Sequence, residues 1–570
     1  MSSIPLMTQK LAARLADPAA PPARPADWEG AEVAQVVALL RANKVPLVEV
    51  QGGLETSSVW NGALELERGE RDRLVDELSL VTRALAERGI TPVLFKTPGG
   101  LPYRSSNVDL LVRPSAMAEA AELLSKLGHL RLPHYREDHK LLFRLFRGGR
   151  PAICVHLHEA VNWGKVLILM GDDVVARSRP KPGFSVAGRE DLVLITLAHS
   201  LYETDQVRLS DLRILKAATR GPELDWRCLI DRAHAMGWSR GLATMLGIVA
   251  AVERSVYGVS VVPADVLRQA EATAGPAWWP RVHTRATLRR IPDDAPAPLP
   301  FPLSRLWSKA HAASVMIHSR DRARLRRLAD LGSTAWNLLA NRWRLRTRPA
   351  VLVSLSGLDG SGKSTALRAL HEAMVLCEVP TRVVWSRGGF SMPAQAAKRA
   401  ARSLMGEALP GPASGERKRR WLSGPAGGSL FAMAVVGEQG VKYQIAVRAP
   451  GWLGLSVLCD RYVLDAVADL EAKLGGGRWL TRAAAGLLLA LAPEPDLAIL
   501  LRLDPLLAAA RKPNDVPPGM LVAQAAIFDR LAGQCGMRVI DASRDEAAVC
   551  GEVVDLALRT AFASFGGSAR

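Results

Sequence analysis

Hydrophobic and polar positions change period several times along the chain, and each change predicts a different kind of element. Apolar residues recur at helical spacing from Ala31 to Lys44 and again from Leu64 to Arg88, where acidic and basic residues interleave on the polar side. The period then shortens: Pro92–Lys96 and Asn107–Val112 read as strands, Ala116–Leu127 as a helix, and Leu141–Arg147 with Ile153–His158, split by Gly148-Gly149, as a hairpin. From Glu190 to about Asn341 the pattern is almost wholly helical, through Asp191–Tyr202, Asp211–Ala218, Trp226–Met236, Ala243–Val252 and Ala264–Ala272. Pro292–Pro302 is too proline-rich for a helix interior and reads as a linker. Beyond Val351, strands at Val351–Ser356, Thr381–Ser386, Leu455–Cys459, Leu497–Leu503 and Arg538–Asp541 alternate with helices at Lys363–Leu376, Leu430–Val447, Leu464–Lys473 and Met520–Gly533. That alternation predicts an α/β, doubly wound parallel sheet with ligands at the C-terminal strand ends.

Bulk properties narrow this picture. A chain of 570 residues exceeds what one core supports, so two to four domains are expected. The apolar content of 48% fits globular domains, and no run reaches the roughly 18 apolar residues of a membrane helix; Ala484–Leu491 is the most apolar stretch. Residues 1–30 dissolve into Ala and Pro without an export signal, so a disordered arm and a cytoplasmic location are expected. Cys154, Cys228, Cys377, Cys459, Cys535 and Cys550 show no metal-binding spacing and read as buried reduced thiols. The net charge of +18 favours anionic partners. Arg320–Arg348 and Arg417–Arg420 are the most basic segments; a connecting helix and a peripheral contact with acidic lipid both remain open for the first, and no nucleic-acid motif accompanies either.

Chemistry concentrates first in Val351–Thr365, VLVSLSGLDGSGKST. A strand runs into Gly357-x-x-x-x-Gly362-Lys363-Ser364 and then into a helix, the context in which glycines let backbone amides turn toward a polyphosphate and the helix dipole faces the same anion. Gly357, Asp359, Gly360, Ser361, Gly362, Lys363, Ser364 and Thr365 form the expected loop for ATP, with Lys363 on the outer phosphates and Ser364 on Mg²⁺. Asp460-Arg461-Tyr462 follows an apolar strand, placing one carboxylate for the metal and one guanidinium for an acceptor phosphate.

The combination of GLDGSGKST, DRY, PEPDLAILLRLDP and VIDASRDEAAV resembles the thymidylate kinase family over Ala350–Ala563. The resemblance implies phosphoryl transfer in which Lys363, Asp460, Arg461 and Arg511 are catalytic, and Asp359, Arg387 and Arg461 hold the acceptor, dTMP or another phosphorylated small molecule. Arg511 and Lys512 would lie in a lid, with a solvated loop as the competing reading. The segment SRGG around Arg387 lacks the family's glutamate and proline, and Asp465 stands where a serine is usual.

The N-terminal half, over roughly residues 30–345, resembles the nucleotidyltransferase superfamily with its "KG…sDiDlLV…H" pattern, in which two carboxylates in D-x-D spacing hold two metal ions. Asn107 takes the first carboxylate place, leaving Asp109 as the metal ligand, and Thr97-Pro98 interrupts Lys96 and Gly99-Gly100. His156 and His158 share a strand face with Glu159 following, so a replacement site and ordinary strand residues are both open, as are cleft or packing roles for His199 and Asp211. The expected division is therefore an arm over 1–30, a nucleotidyltransferase-like α+β domain over 31–185, a helical extension and basic linker over 186–345, and a P-loop kinase-type domain over 346–570. Phosphotransfer is the main expectation. An ATP-binding sensor without turnover and nucleotidyl transfer in the N-terminal half are the alternatives.

Overall fold

A computed structural model describes residues 6–17, 20–22, 24–50, 57–96, 107–132, 139–220, 224–276, 278–292, 295–318, 332, 336, 350–385, 424–475, 478–512 and 517–563. Two compact units emerge: Met1–Leu145 with Ala152–Trp343, and Phe146–Pro151 with Arg344–Arg570. Arg387 falls outside the described residues, as do Thr97 to Gly100 and the two basic segments apart from Gly332 and Trp336.

In the first unit a mixed seven-stranded sheet is the frame for Asp109. Its strands run in the order Leu130–Leu132, Lys140–Arg147, Arg150–His158, Val108–Leu111, Val93–Leu94, Phe184–Val186 and Arg179–Lys181. Asp109 lies near the centre, where Val108–Leu111 runs parallel to Arg150–His158 and antiparallel to Val93–Leu94. Leu78, Val81 and Leu85 from the helix Ser58–Ala86 pack with Ala120 and Leu124 against Val108, Leu110, Val155 and Leu157, so one sheet face is sealed and the alternate residues look the other way. Ser57 starts that long helix by accepting a hydrogen bond from the Trp60 amide at 3.3 Å.

Helices Arg189–His199, Leu209–Ala218, Trp226–Ala235 and Ser239–Tyr257 form a second core around Val193, Leu197, Leu212 and Trp238. The first of these passes into a π-helical turn at Ser200–Thr204, which ends at Asp205 with φ of 52°. Residues 292–302 are more than a linker: Ala297 and Phe301 are buried in this core, and Phe301–Pro302 pairs with Gln206–Val207.

The arm expected over residues 1–30 is corrected as well. Leu6–Ala16 is a helix, and Leu11, Leu15 and Trp28 are buried with Val36, Leu40 and Trp60. Composition argued for disorder, but four-residue spacing of Leu11 and Leu15 supplies an apolar stripe that a neighbouring helix covers.

The second unit holds a five-stranded sheet in the order Thr381–Trp385, Ser456–Asp460, Leu352–Gly357, Leu497–Arg502, Arg538–Asp541, with every neighbouring pair parallel. The strand that enters first sits in the middle. Its six residues are all buried, as the β-branched and leucine-rich run requires in a sheet covered on both faces. The apolar stretch ending at Leu491 is a helix, Trp479–Leu491, and Glu546–Phe562 is another that the strand-and-helix pattern leaves unassigned. No helix among the described residues is long and apolar enough to cross a membrane.

Candidate functional site

Each unit carries one pocket lined by the residues that the sequence singles out. In the first, the sheet's parallel register sets Asp109 opposite His156 and Leu111 opposite His158. The two-residue period of both strands then puts Asn107, Asp109, His156 and His158 on one face. Asp109 Oδ1 lies 3.0 Å from Lys96 Nζ, 3.2 Å from His156 Nδ1 and 3.0 Å from His158 Nε2. The Asn107 amide nitrogen is 2.7 Å from His156 Nδ1. Glu159 turns away to His139, at 2.6 Å, and does not join this cluster.

A cavity of about 290 Å³ opens over Lys96, Asn107, Asp109 and His156, and Lys44, Arg144, His199 and Glu203 are among its other lining residues. His199 Nε2 faces Glu203 Oε2 at 3.3 Å from one helical turn away, Trp163 Nε1 donates to the same oxygen at 2.5 Å, and Lys96 reaches it at 3.5 Å. Asp211, although it also lines the cavity, accepts hydrogen bonds from the Arg208 amide at 2.9 Å and Ser200 Oγ at 3.1 Å, which is a helix-start role.

The electrostatics follow from this crowding. Burial alone would raise the Asp109 carboxyl, but the Lys96 ammonium and the two imidazoles hold it well below the usual carboxylate range. Glu203 is held low in the same way, against burial, by Lys96 and His199. Burial pushes the His158 and His199 rings down to about 4, so both are neutral at physiological pH. The pocket thus combines ionised carboxylates, neutral imidazoles and several cations. Asp109, His156 and His158 also offer three ligand atoms within 4.8 Å of one another.

Lys44, Arg144 and Glu203 had not been singled out from sequence. Only Glu203 left a signal, its four-residue spacing from His199 on a helix face.

The second unit's site is centred on one contiguous turn. Gly357, Gly360 and Gly362 have φ of 146°, 92° and 86°, values that side chains with a Cβ rarely take. At Gly357 a Cβ would also come within 2.5 Å of the Leu501 carbonyl oxygen. Lys363 Nζ donates to the Gly357 and Leu358 carbonyls at 2.8 and 2.7 Å. Ser364 Oγ donates to Asp460 Oδ2 at 2.7 Å, while Asp460 Oδ1 is buried without a partner.

Arg461, at φ 68°, pairs with Asp359. Arg511 Nη1 reaches the Gly360 carbonyl at 3.4 Å and the Ala542 carbonyl at 3.2 Å, while Lys512 is exposed on the lining of the same cavity of about 490 Å³. Ser361 and Thr365 line it too. Asp465 does not face that cavity. Burial raises its carboxyl, which accepts from Ser356 Oγ at 2.6 Å and the Tyr462 amide at 3.1 Å.

Residues 31–252 match the model of a family described as uncharacterised nucleotidyltransferase. The match spans the mixed sheet and the first helices packed behind it, and it makes this part of the chain a nucleotidyltransferase-like domain. No curated protein matches the chain.

Proposed function

We propose that the chain is a nucleotide-dependent transferase whose N-terminal unit carries out nucleotidyl transfer. The family match over residues 31–252 carries this reading, and the Lys96–Asp109 pair beneath a pocket rimmed by Lys44 and Arg144 supports it. In such a transfer an acceptor oxygen bonds to the α-phosphorus of a nucleoside triphosphate, the α–β bridging P–O bond breaks and pyrophosphate departs. Lys44, Lys96 and Arg144 would neutralise the departing charge in a partly enclosed site, where fixed cations act more strongly than in water. The two-carboxylate pair for two magnesium ions does not fit these residues, because Asn107 supplies a neutral amide.

The test is pyrophosphate release from a panel of nucleoside triphosphates. Release that Asp109→Asn eliminates and Lys363→Ala leaves intact supports the reading. Absence of release with every nucleotide, or indifference to Asp109→Asn, overturns it.

The Ser364–Asp460 contact favours a second activity in the other unit, ATP-dependent phosphotransfer by a doubly wound P-loop domain of thymidylate kinase type. Asp460 Oδ1, buried without a protein partner, and Ser364 Oγ would hold Mg²⁺, which supplies charge neutralisation between the outer phosphates. Lys363 would exchange its loop carbonyls for phosphate oxygens, and Arg511 stands beside the same loop. Asp359 and Arg461 would receive the acceptor, dTMP or another phosphorylated small molecule, once their mutual ion pair opens; Arg387 is assigned the same task from sequence alone. Acceptor-stimulated ADP formation that Lys363→Ala abolishes supports this activity. Tight ATP binding without acceptor-stimulated turnover assigns the unit a sensor role instead.

A further inference from the structure

The site around Asp109 departs from its family pattern in a definite chemical direction. Where two carboxylates are expected on one strand, Asn107 and Asp109 stand, and the neighbouring parallel strand presents His156 and His158 on the same face. One carboxylate is thereby lost, and two imidazoles flank the one that remains. The separations suit one shared cation: Asp109 Oδ1 is 3.2 Å from His156 Nδ1 and 3.0 Å from His158 Nε2, and the three ligand atoms lie within 4.8 Å of one another. Ligands about 2.1 Å from a single ion stand roughly 3.0–3.4 Å apart in octahedral or tetrahedral arrangements. The Asn107 side chain borders this cluster, its amide nitrogen 2.7 Å from His156 Nδ1.

Magnesium favours six oxygen ligands in near-ideal geometry, whereas neutral imidazole suits zinc and its first-row neighbours. We infer that Asp109, His156 and His158 bind one divalent transition-metal ion of the zinc class in place of a magnesium pair. Lys96 Nζ, now 3.0 Å from Asp109 Oδ1, supplies the positive charge there; with the ion bound it keeps Glu203, at 3.5 Å, and its ammonium turns toward the phosphate end of the pocket. The nucleotidyl-transfer reading enters only in locating the site, and metal binding is measured without it.

Co²⁺ is the probe. The chelator-treated full chain is titrated with Co²⁺ and followed by its visible d–d absorption. One equivalent is expected to bind, Zn²⁺ is expected to displace it stoichiometrically, and Mg²⁺ in large excess is expected to leave it in place. His158→Gln and His156→Gln are each expected to weaken binding at least about tenfold. Thermal unfolding of the metal-free variants checks that they fold, and His156, at the more open edge of the cluster, carries the test if His158→Gln does not. A missing band, a band unchanged in the folded His156→Gln variant, or displacement by equimolar Mg²⁺ overturns the inference. Pyrophosphate release in Mg²⁺ without Co²⁺ binding sinks the metal assignment alone, and Co²⁺ binding without pyrophosphate release sinks the transfer reading alone.

Discussion

The two pockets differ in how local their framework is. In the C-terminal unit the anchor is a single turn: Gly357 to Ser364 are contiguous, Lys363 is held by carbonyls five and six residues upstream, and Arg461, Arg511 and Lys512 join from elsewhere. In the N-terminal unit Lys44, Lys96 and Arg144 come from three separate parts of the chain, and they meet only because the sheet and the helices behind it bring them together. A local site depends on backbone conformation and tolerates change elsewhere. A dispersed site depends on the fold of its whole unit, so substitutions in it alter stability and chemistry together.

The sharpest break in this comparison is Lys363→Ala, expected to lower acceptor-stimulated ADP formation by about 10²–10³-fold, as loss of one charge-stabilising donor does. Thermal unfolding of the C-terminal unit should barely move. Asp109→Asn should instead act on both properties. It leaves the half-buried Lys96 ammonium without its closest carboxylate, costing about 3 kcal/mol, read as a lowered unfolding midpoint of the N-terminal unit alongside lost pyrophosphate release.

A pH series separates the units further. Burial lowers His283 to about 4, and burial with the neighbouring His283 lowers His311 to about 3. Their native values lie below the unfolded value of 6.5, so the unfolded chain takes up protons first as pH falls. Stability is full at neutral pH, declines below about 6.5 and levels off only near 3–4, with a loss of about 2 kcal/mol per ring by pH 5. Hydrogen-exchange protection of Trp278–Leu288 and Arg305–His318 should therefore drop between pH 7 and 5. His311→Phe should roughly halve the response, leaving the share of His283. The smallest effects lie within the glycine turn: Gly357→Ala, with the Leu501 carbonyl in the way, should cost about 2 kcal/mol, and Gly362→Ala, with open space and only an unfavourable φ, about 1 kcal/mol by chemical denaturation.

The same contrast decides what the sequence could disclose. The glycine turn was legible because its spacing, its strand and its helix are adjacent, and the strands around it were placed to within a residue or two: Val351–Ser356 against Leu352–Gly357, Leu455–Cys459 against Ser456–Asp460. His156 and His158 were legible as sharing a strand face, but their meeting with Asp109 depends on strand register, which no local pattern encodes. Lys44 and Arg144 left no trace, since an isolated cation looks like any solvated one until folding encloses it. Tertiary packing also overrode composition in Leu6–Ala16, where an Ala- and Pro-rich context concealed a helix held by Leu11 and Leu15.

The position of Leu352–Gly357 in the middle of its sheet has a consequence for biosynthesis. This strand is made first, yet Val353 is paired with Leu458 on one side and Leu497 on the other, more than a hundred residues downstream. At ribosomal speeds the second neighbour emerges on the order of ten seconds later. Throughout that delay a ribbon bearing Leu352, Val353 and Leu355, with two open edges, hangs from the nascent chain, and the window in which it can aggregate is set by translation rather than by the strength of the finished fold.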